Sequence, residues 1–408
     1  MNLDNKLKSL SGGATVEVLQ NLLEYLSEIS DVNISINRKY KIGYSGYLPQ
    51  FGMEFEIIFN DFDGEKWLIH PTSSIRSDRA KKVEFEAQNI RIWDDKVTNI
   101  YLVAPDSLNA DDIRELHNYS KKIHGNEYKS FLTDVLSIFD LGNEILYYAT
   151  SKIKPAKRSN ILGKFAEEYI VFLLNDSNNL ILWNDYANNF KTIKSFTFDK
   201  FKIILESFGL VAGRDKIYTI YSTTNIPKLA NSGLPKTDIV TYISLSNTQY
   251  IVKKISVKNT DKKEVSVHQG SVTDLIQAIE SSTKCEITKE LKDALFNQQK
   301  YGSITKLQVI APQSFEILHK ELPKYNKELV AFSIFGDNSP QLVDSRQVAD
   351  YILYYRNFQI FDKETYIDEY IDLHTKNGQY CTPFKWTFQK SADLNKSIQL
   401  KGFTNNKK

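Results

Sequence analysis

Apolar positions along the chain change period several times, and the changes mark its elements. Val16, Leu19, Leu22, Leu23 and Leu26 recur at helical spacing after the Gly12-Gly13 break, whereas Val32, Ile34 and Ile36 alternate as in a strand. Runs at 55–59 (FEIIF), 66–70 (KWLIH) and 99–103 (NIYLV) predict further strands, with a helix starting near Asp111. An apolar helical stretch over 131–149 gives way to a polar, proline-containing segment, which places a domain boundary near residue 150. Beyond it the pattern predicts a helix from about Leu162 to Leu174 and strands around 180–183, 217–221, 238–245 and 250–258. Helices near 271–280 and 287–298, strands at 305–311 and 328–335, and a helix beginning near Ser345 complete the pattern. The expected fold class is α/β, of the α+β kind: an N-terminal α+β domain over 1–150 and a second domain over 151–408 with a mixed central sheet flanked by helices.

Composition narrows the function classes. With 408 residues, 41% hydrophobic and 25% charged, the chain has ordinary globular content, which excludes wholesale disorder. No run approaches the ~18 apolar residues that a membrane helix needs, and MNLDNKLKSLSGG lacks the apolar block of a signal peptide. The expectation is a soluble, cytoplasmic protein without a membrane partner. Cys285 and Cys381 form no Cys-x-x-Cys pair and the six histidines are scattered, which argues against a disulfide framework or a zinc site. No GxxxxGK[ST] or GxGxxG run occurs, so nucleotide-driven translocation is disfavoured.

Net charge is +2, but its distribution is uneven. Residues 361–375 carry five acids against Lys363, a net −4, while 376–408 carry seven lysines against Asp393, a net +6. SKIKPAKR at 151–158 and KKISVKNTDKK at 253–263 are also basic. Such runs are most often solvated faces, so they matter only where chemistry lies beside them.

That chemistry falls within 233–269. Pro235-Lys236-Thr237-Asp238 opens one predicted strand, Asn247-Thr248-Gln249 supplies a turn, and a second strand ends in Ser256-Val257-Lys258. Pairing the two antiparallel brings Asp238 near Lys258, and the two-residue period puts Ser256 and Lys258 on one face. A carboxylate, a hydroxyl and an ammonium then converge, a set able to hold a magnesium ion through oxygen and to orient water beside a phosphate. An isolated Asp–Lys pair at strand ends is more often a surface salt bridge.

These residues carry a resemblance. The aspartate followed about twenty positions later by x-x-Lys looks like the PD-(D/E)xK nuclease core, and 158–402 resembles the MspI-type restriction endonucleases in four ordered blocks. Leu162–Ile170 is similar to the family's first helix and Pro235–Asp238 to its metal-binding segment. Ser256-Val257-Lys258 with Lys262–Ser266 is similar to the catalytic lysine strand and the basic turn beyond it. Trp386-Thr387-Phe388 with Gln399–Gly402 is similar to the terminal recognition segment.

The resemblance implies a type II enzyme that hydrolyses double-stranded DNA with Mg²⁺ at a short GC-rich site, CCGG being the leading candidate. It implies Asp238 and the Val257 carbonyl as metal ligands, Lys258 as the lysine that positions water, and Glu167 as a supporting acid. Glu167 reads equally well as a solvent-facing helix residue. Ser256 departs from the pattern: the position is acidic in the wider superfamily and asparagine in MspI-type enzymes, and a hydroxyl is a weaker oxygen ligand. Lys236, Lys262, Lys263, Ser266, Thr387, Gln399 and Lys401 match positions implied to contact DNA, and Lys401 can donate to guanine O6 and N7. Trp386 reads better as a core anchor than as a base stacker. A cognate DNA methyltransferase and a homodimer are further implied partners. A modification-dependent nuclease and a non-cleaving DNA-binding regulator are the alternatives.

Residues 1–150 fall outside the resemblance. Trp67–Arg79 runs from an apolar strand into a hydroxyl-rich turn bearing Arg76 and Arg79, a candidate phosphate-binding edge. It looks like a strand-turn segment of several restriction endonucleases in which a lysine lies near the strand end; here His70-Pro71-Thr72 occupies that place, with Glu54 and Glu56 upstream. The expectation is an inactive nuclease-like or accessory DNA-binding domain; the alternative is a domain that only packs on the catalytic one.

Overall fold

A computed structural model describes residues 3–43, 51–72, 77–104, 131–186, 197–245, 249–260, 262–388 and 397–404. The chain divides into two compact units, one formed by 1–164, 176–206 and 210–216 and the other by 165–175, 207–209 and 217–408. The first unit therefore also takes in segments downstream of residue 150.

The first unit opens with α1 (Leu3–Glu28), followed by β1 (Ile34–Ile42), β2 (Phe51–Phe59), β3 (Glu65–Pro71), α2 (Ser77–Trp93), β4 (Val97–Ala104), β5 (Asp134–Ser137) and α3 (Ile138–Ala149). Its sheet runs β1-β2-β3-β4-β5. The pairs β1–β2 and β2–β3 are antiparallel and β3–β4 and β4–β5 parallel. The helix α1 passes through Gly12-Gly13 rather than starting after it, since two glycines cost only ~1 kcal/mol each against Ala and the helix runs on beyond them. In α3, Ser137 caps the helix by accepting from the Asp140 amide, and Ile138, Leu141, Ile145 and Leu146 bury one face. The helix expected near Asp111 lies outside the described residues.

The helix α4 (Pro155–Asn175) is followed by α5 (Ser177–Asn184) and α6 (Phe198–Ser207). The stretch 180–183, expected as a strand, lies within α5: Asp176 caps it, and Asn179, Leu182 and Trp183 are buried at helical spacing.

In the second unit β6 (Thr219–Thr223), β7 (Ile239–Ser244), β8 (Tyr250–Lys258) and β9 (Glu264–Gly270) lead into α7 (Val272–Thr283), α8 (Lys289–Tyr301), α9 (Ile304–Ile310), α10 (Pro312–Glu321) and α11 (Asn326–Val330). They are followed by β10 (Tyr351–Tyr354), β11 (Gln359–Asp362), α12 (Lys363–His374), β12 (Lys385–Phe388) and β13 (Ile398–Phe403). The central sheet runs β11-β10-β8-β7-β6, mixed because β8 and β10 are parallel while the other pairs are antiparallel. A second sheet runs β12-β13-β9.

Three further expectations change here. Residues 305–311 are helical, because Ser303 caps the Lys306 amide and only Leu307 is buried while Val309 and Ile310 face solvent. Residues 328–335 form α11 and a π-helical turn over Ala331–Phe335; a run buried on every side carries no period that separates helix from strand. Near Ser345 there is one 3₁₀ turn, Ser345–Gln347, followed by β10.

The core of this unit joins the two sheets. Leu275, Ile279, Leu291 and Leu295 of α7 and α8 cluster with Ile352, Tyr366, Tyr370, Trp386, Ile398 and Leu400. Gly302 closes α8 in the left-handed region at φ 74°, and a Cβ there would stand 2.8 Å from the Phe388 ring. Gly302→Ala is expected to combine backbone strain with this overlap and to lower unfolding stability by about 1–3 kcal/mol, read as a reduced urea midpoint with unchanged slope.

Candidate active site

Two hydrogen-bonded strands assemble the site. In the β7–β8 register Ile239 faces Ile255, and the Asp238 amide donates to the Ile255 carbonyl at 2.9 Å. Asp238 thus stands across from Ser256. Its Oδ2 accepts from the Val257 amide at 2.6 Å and from Ser256 Oγ at 3.2 Å. Lys258 Nζ donates to Ser256 Oγ at 2.7 Å and to the Val257 carbonyl at 3.3 Å, and lies 3.6 Å from Asp238 Oδ2. Ser256 is fully buried and bridges the other two, whereas Lys258 and Asp238 keep 28% and 23% of their side-chain surface exposed, so a substrate can reach both charges.

A cleft of about 290 Å³ opens here, lined by Asp238, Lys258, Lys236, Ser266, Tyr354 and Tyr370 among others. Part of the Lys236 side chain is exposed, yet its ammonium donates to the Val267 carbonyl and is cut off from water. Desolvation, and then the Lys258 charge, push Lys236 down to about 8 against the pull of Asp238. On the far side His268, packed 4.6 Å from the Phe332 ring, is driven down to about 3 by burial and by Lys236, so it stays neutral at ordinary pH.

Glu167 lies partly exposed on α4; its neighbour Glu168 accepts from Thr224 Oγ1 at 3.0 Å, just beyond β6. Among the described residues no group of three or more His, Cys, Asp or Glu could hold a metal. Asp238 with the Val257 carbonyl nevertheless suits Mg²⁺, which commonly takes one or two carboxylates and fills its remaining positions with water and substrate phosphate.

The second sheet gathers the other candidates. Trp386, Ile398 and Leu400 are buried, so the alternation turns Lys385, Thr387, Gln399 and Lys401 to the opposite face. There Gln399 Nε2 donates to Ser266 Oγ at 3.0 Å and Thr387 Oγ1 to Gln399 Oε1 at 3.2 Å, while Lys401 is in register with Lys385 and Ser266 across a bulge. Trp386 is a core residue whose indole donates to Thr382 at 2.9 Å. Lys262 and Lys263 are exposed, and their carbonyls hold Thr404 at the end of β13. Arg76, Lys390 and Lys396 lie outside the described residues, as does the side chain of Arg79.

Lys385, which pairs with Glu264, and Gln269, in register with Gln399, join this face without having been singled out from the sequence. The period-2 pattern of 385–388 and 264–270 was the signal available for them. The basic run 151–158 is instead used within the first unit: Lys152 donates to the Asp61 carbonyl at 2.6 Å, Lys157 to Asp31 at 2.7 Å and Arg158 to the Tyr147 carbonyl at 2.9 Å.

A mixed sheet flanked by helices, with an acid and a lysine at adjacent strand ends beside a polar recognition face, is the plan of a restriction endonuclease. A family model described as "Restriction endonuclease MspI" matches residues 141–402. The type II restriction enzyme BsuFI of Bacillus subtilis is 43% identical over 406 residues, covering 100% of each chain. A crystal structure of restriction endonuclease MspI in complex with its cognate DNA is similar with a TM-score of 0.49 and 18% identity, over 64% of this chain and 99% of that one. The chain belongs to the MspI restriction endonuclease family.

Lys236 yields a pH prediction. Its ammonium is less basic in the folded state than at its ordinary 10.5, so its charge costs stability in full below about pH 8 and the cost fades as pH rises toward 10.5. Lys236→Met, isosteric and uncharged, is expected to gain stability over the parent near pH 7 and to lose that gain near pH 10, measured by chemical unfolding at each pH. A gain independent of pH would refute the assignment.

Proposed function

We propose that the protein is a type II restriction endonuclease that hydrolyses double-stranded DNA in a Mg²⁺-dependent reaction at the β7–β8 strand ends. The observation that carries this reading is the hydrogen-bonded Asp238–Ser256–Lys258 array opening into a cleft. Asp238 and the Val257 carbonyl would hold the ion, which when bound polarises the scissile phosphate and offsets its developing charge. Lys258 holds the attacking water against the phosphorus and donates to a non-bridging oxygen. Ser256 sets the direction of Lys258 by accepting from Nζ at 2.7 Å; both its oxygen and its proton are engaged, so it acts here as a positioning residue rather than a metal ligand. The excess of two ammonium groups over one carboxylate favours an entering phosphate.

The polar face of the second sheet supplies the sequence reading, with CCGG the leading target on the family resemblance. Gln399, Thr387 and Ser266 hold one another by hydrogen bonds, which limits their rotamers before DNA arrives. Lys401 is the candidate donor to guanine. A palindromic target calls for two symmetry-related cuts, which a homodimer would deliver, and a DNA methyltransferase of the same specificity would protect the host. Among the described residues no helix is long and apolar enough to cross a membrane.

Plasmid digestion tests the reaction. With Mg²⁺ the parent is expected to give a discrete ladder, and Lys258→Ala to reduce cutting by at least roughly 10²-fold with folding unchanged. Binding without cutting, in unmodified and methylated plasmid alike, would overturn the reading, and cutting only of methylated plasmid would replace it with a modification-dependent nuclease. Lys401→Ala is expected to lose about 1–3 kcal/mol of discrimination between the target and single-base variants, measured as the ratio of kcat/KM values.

A further inference from the structure

The first unit repeats the strand plan of the catalytic sheet. β1, β2, β3 and β4 follow one another in the same order and senses as β6, β7, β8 and β10: antiparallel, antiparallel, then parallel. The registers correspond as well. In the catalytic sheet Ile239 faces Ile255, which sets Asp238 across from Ser256 with Lys258 two residues on. In the first sheet Phe55 faces Ile69, which sets Glu54 across from His70 with Thr72 two residues on. The preceding helices agree: Glu168 of α4 accepts from Thr224 beyond β6, and Gln20 of α1 accepts from Arg38 of β1 at 3.0 Å. An acid thus stands at the acid's place, and a buried threonine stands where the catalytic lysine would be.

A cleft of about 470 Å³ lies at this end of β2 and β3, lined by Lys39, Lys41, Glu54, His70, Lys82 and Glu86 among others. Its acids are muted. Glu54 accepts from Arg38 Nε at 3.3 Å, and burial holds the Glu86 carboxyl above the usual carboxylate range although Lys82 lies 3.7 Å away. Its lysines remain open: Lys39 and Lys41 are exposed, and 73% of the Lys82 side chain is accessible. The backbone is shaped here too. Lys39, opposite Glu54 in the register, sits at φ 63°, a conformation a lysine keeps only when the surrounding structure imposes it. At Gly52 a Cβ would stand 2.7 Å from the Tyr40 carbonyl, so β1 and β2 approach in a way that excludes a side chain.

We infer that this cleft is a second, non-hydrolytic binding site for duplex DNA, holding backbone phosphates through Lys39, Lys41 and Lys82 without reading bases. The lost lysine accounts for the absence of hydrolysis there, and the retained strand ends and cationic rim for binding. The inference shares with the proposed function only the premise that DNA is the polymer handled.

The test uses the full chain carrying Lys258→Ala, so that no DNA is cut, and a labelled duplex that the parent does not cleave, followed by fluorescence anisotropy over a range of KCl concentrations. Adding Lys39→Ala, Lys41→Ala and Lys82→Ala together is expected to weaken binding about tenfold or more at low salt and to lower the slope of log affinity against log salt by about 2. The same three substitutions in the Lys258-containing chain should leave cleavage of a short cognate duplex unchanged. Unchanged non-cognate affinity and slope would overturn the inference, as would tighter binding of duplex RNA than of duplex DNA. If the triple variant fails to fold, the three single Lys→Gln variants replace it, and no loss in any of them overturns the inference equally. Failure of the parent to cut DNA would refute the catalytic reading without touching this result.

Discussion

One strand register carries the structure's chemistry: Ile239 opposite Ile255, fixed by the Asp238 amide on the Ile255 carbonyl at 2.9 Å. A slip of one residue would turn Ser256 and Lys258 to the other face of the sheet and send Val257 into the cleft. With the register in place, Asp238 receives the Val257 amide and the Ser256 hydroxyl, and Ser256 in turn receives Lys258. Each group holds the next, so the carboxylate and the ammonium are oriented before any substrate is present. Such preorganisation means that little rearrangement is needed as charge develops on a phosphate.

The same strand ties chemistry to recognition. β8 ends at Lys258 and β9 begins at Glu264, so one short turn links the central sheet to the second sheet and its polar face. That face is rigid for the opposite reason from the site: Trp386, Ile398 and Leu400 anchor its underside in the apolar core while its upper side chains bond to one another. Lys236 belongs to both neighbourhoods, donating to the Val267 carbonyl of β9 and lowered in pKa by Lys258 of β8. Its burial costs stability, a price commonly found where charge is stored for a ligand.

Legibility in the sequence followed pattern strength. The alternation through 250–258 and the helical spacing at 271–280 and 287–298 identified their elements to within a few residues, because one face of each is buried and the other is not. The runs at 180–183, 305–311 and 328–335 were read as strands and are helical, since short apolar runs are decided by caps and by what surrounds them: Asp176, Ser303, and a core enclosing Leu329 to Phe335. Charge runs were the least informative. Those at 151–158 and 253–258 mostly serve packing, with Lys253 donating to Tyr351 and Lys254 paired with Asp350, while Lys258 alone of the second run faces the cleft.

By itself the sequence determined the identities and spacing of Asp238, Ser256 and Lys258, because two-residue periodicity and antiparallel pairing are local rules that place side chains on faces. It also determined the family, through ordered blocks that no single motif supplies. Only the tertiary structure decided that Ser256 is sealed between two charges, that Lys236 is desolvated beside them, and that residues 266, 387, 399 and 401 share one face. It alone showed Glu54 and Thr72 at the places that Asp238 and Lys258 hold in the other sheet. These are matters of which distant segments come to lie side by side, and burial, dielectric and register between strands are properties of that contact rather than of any stretch of chain.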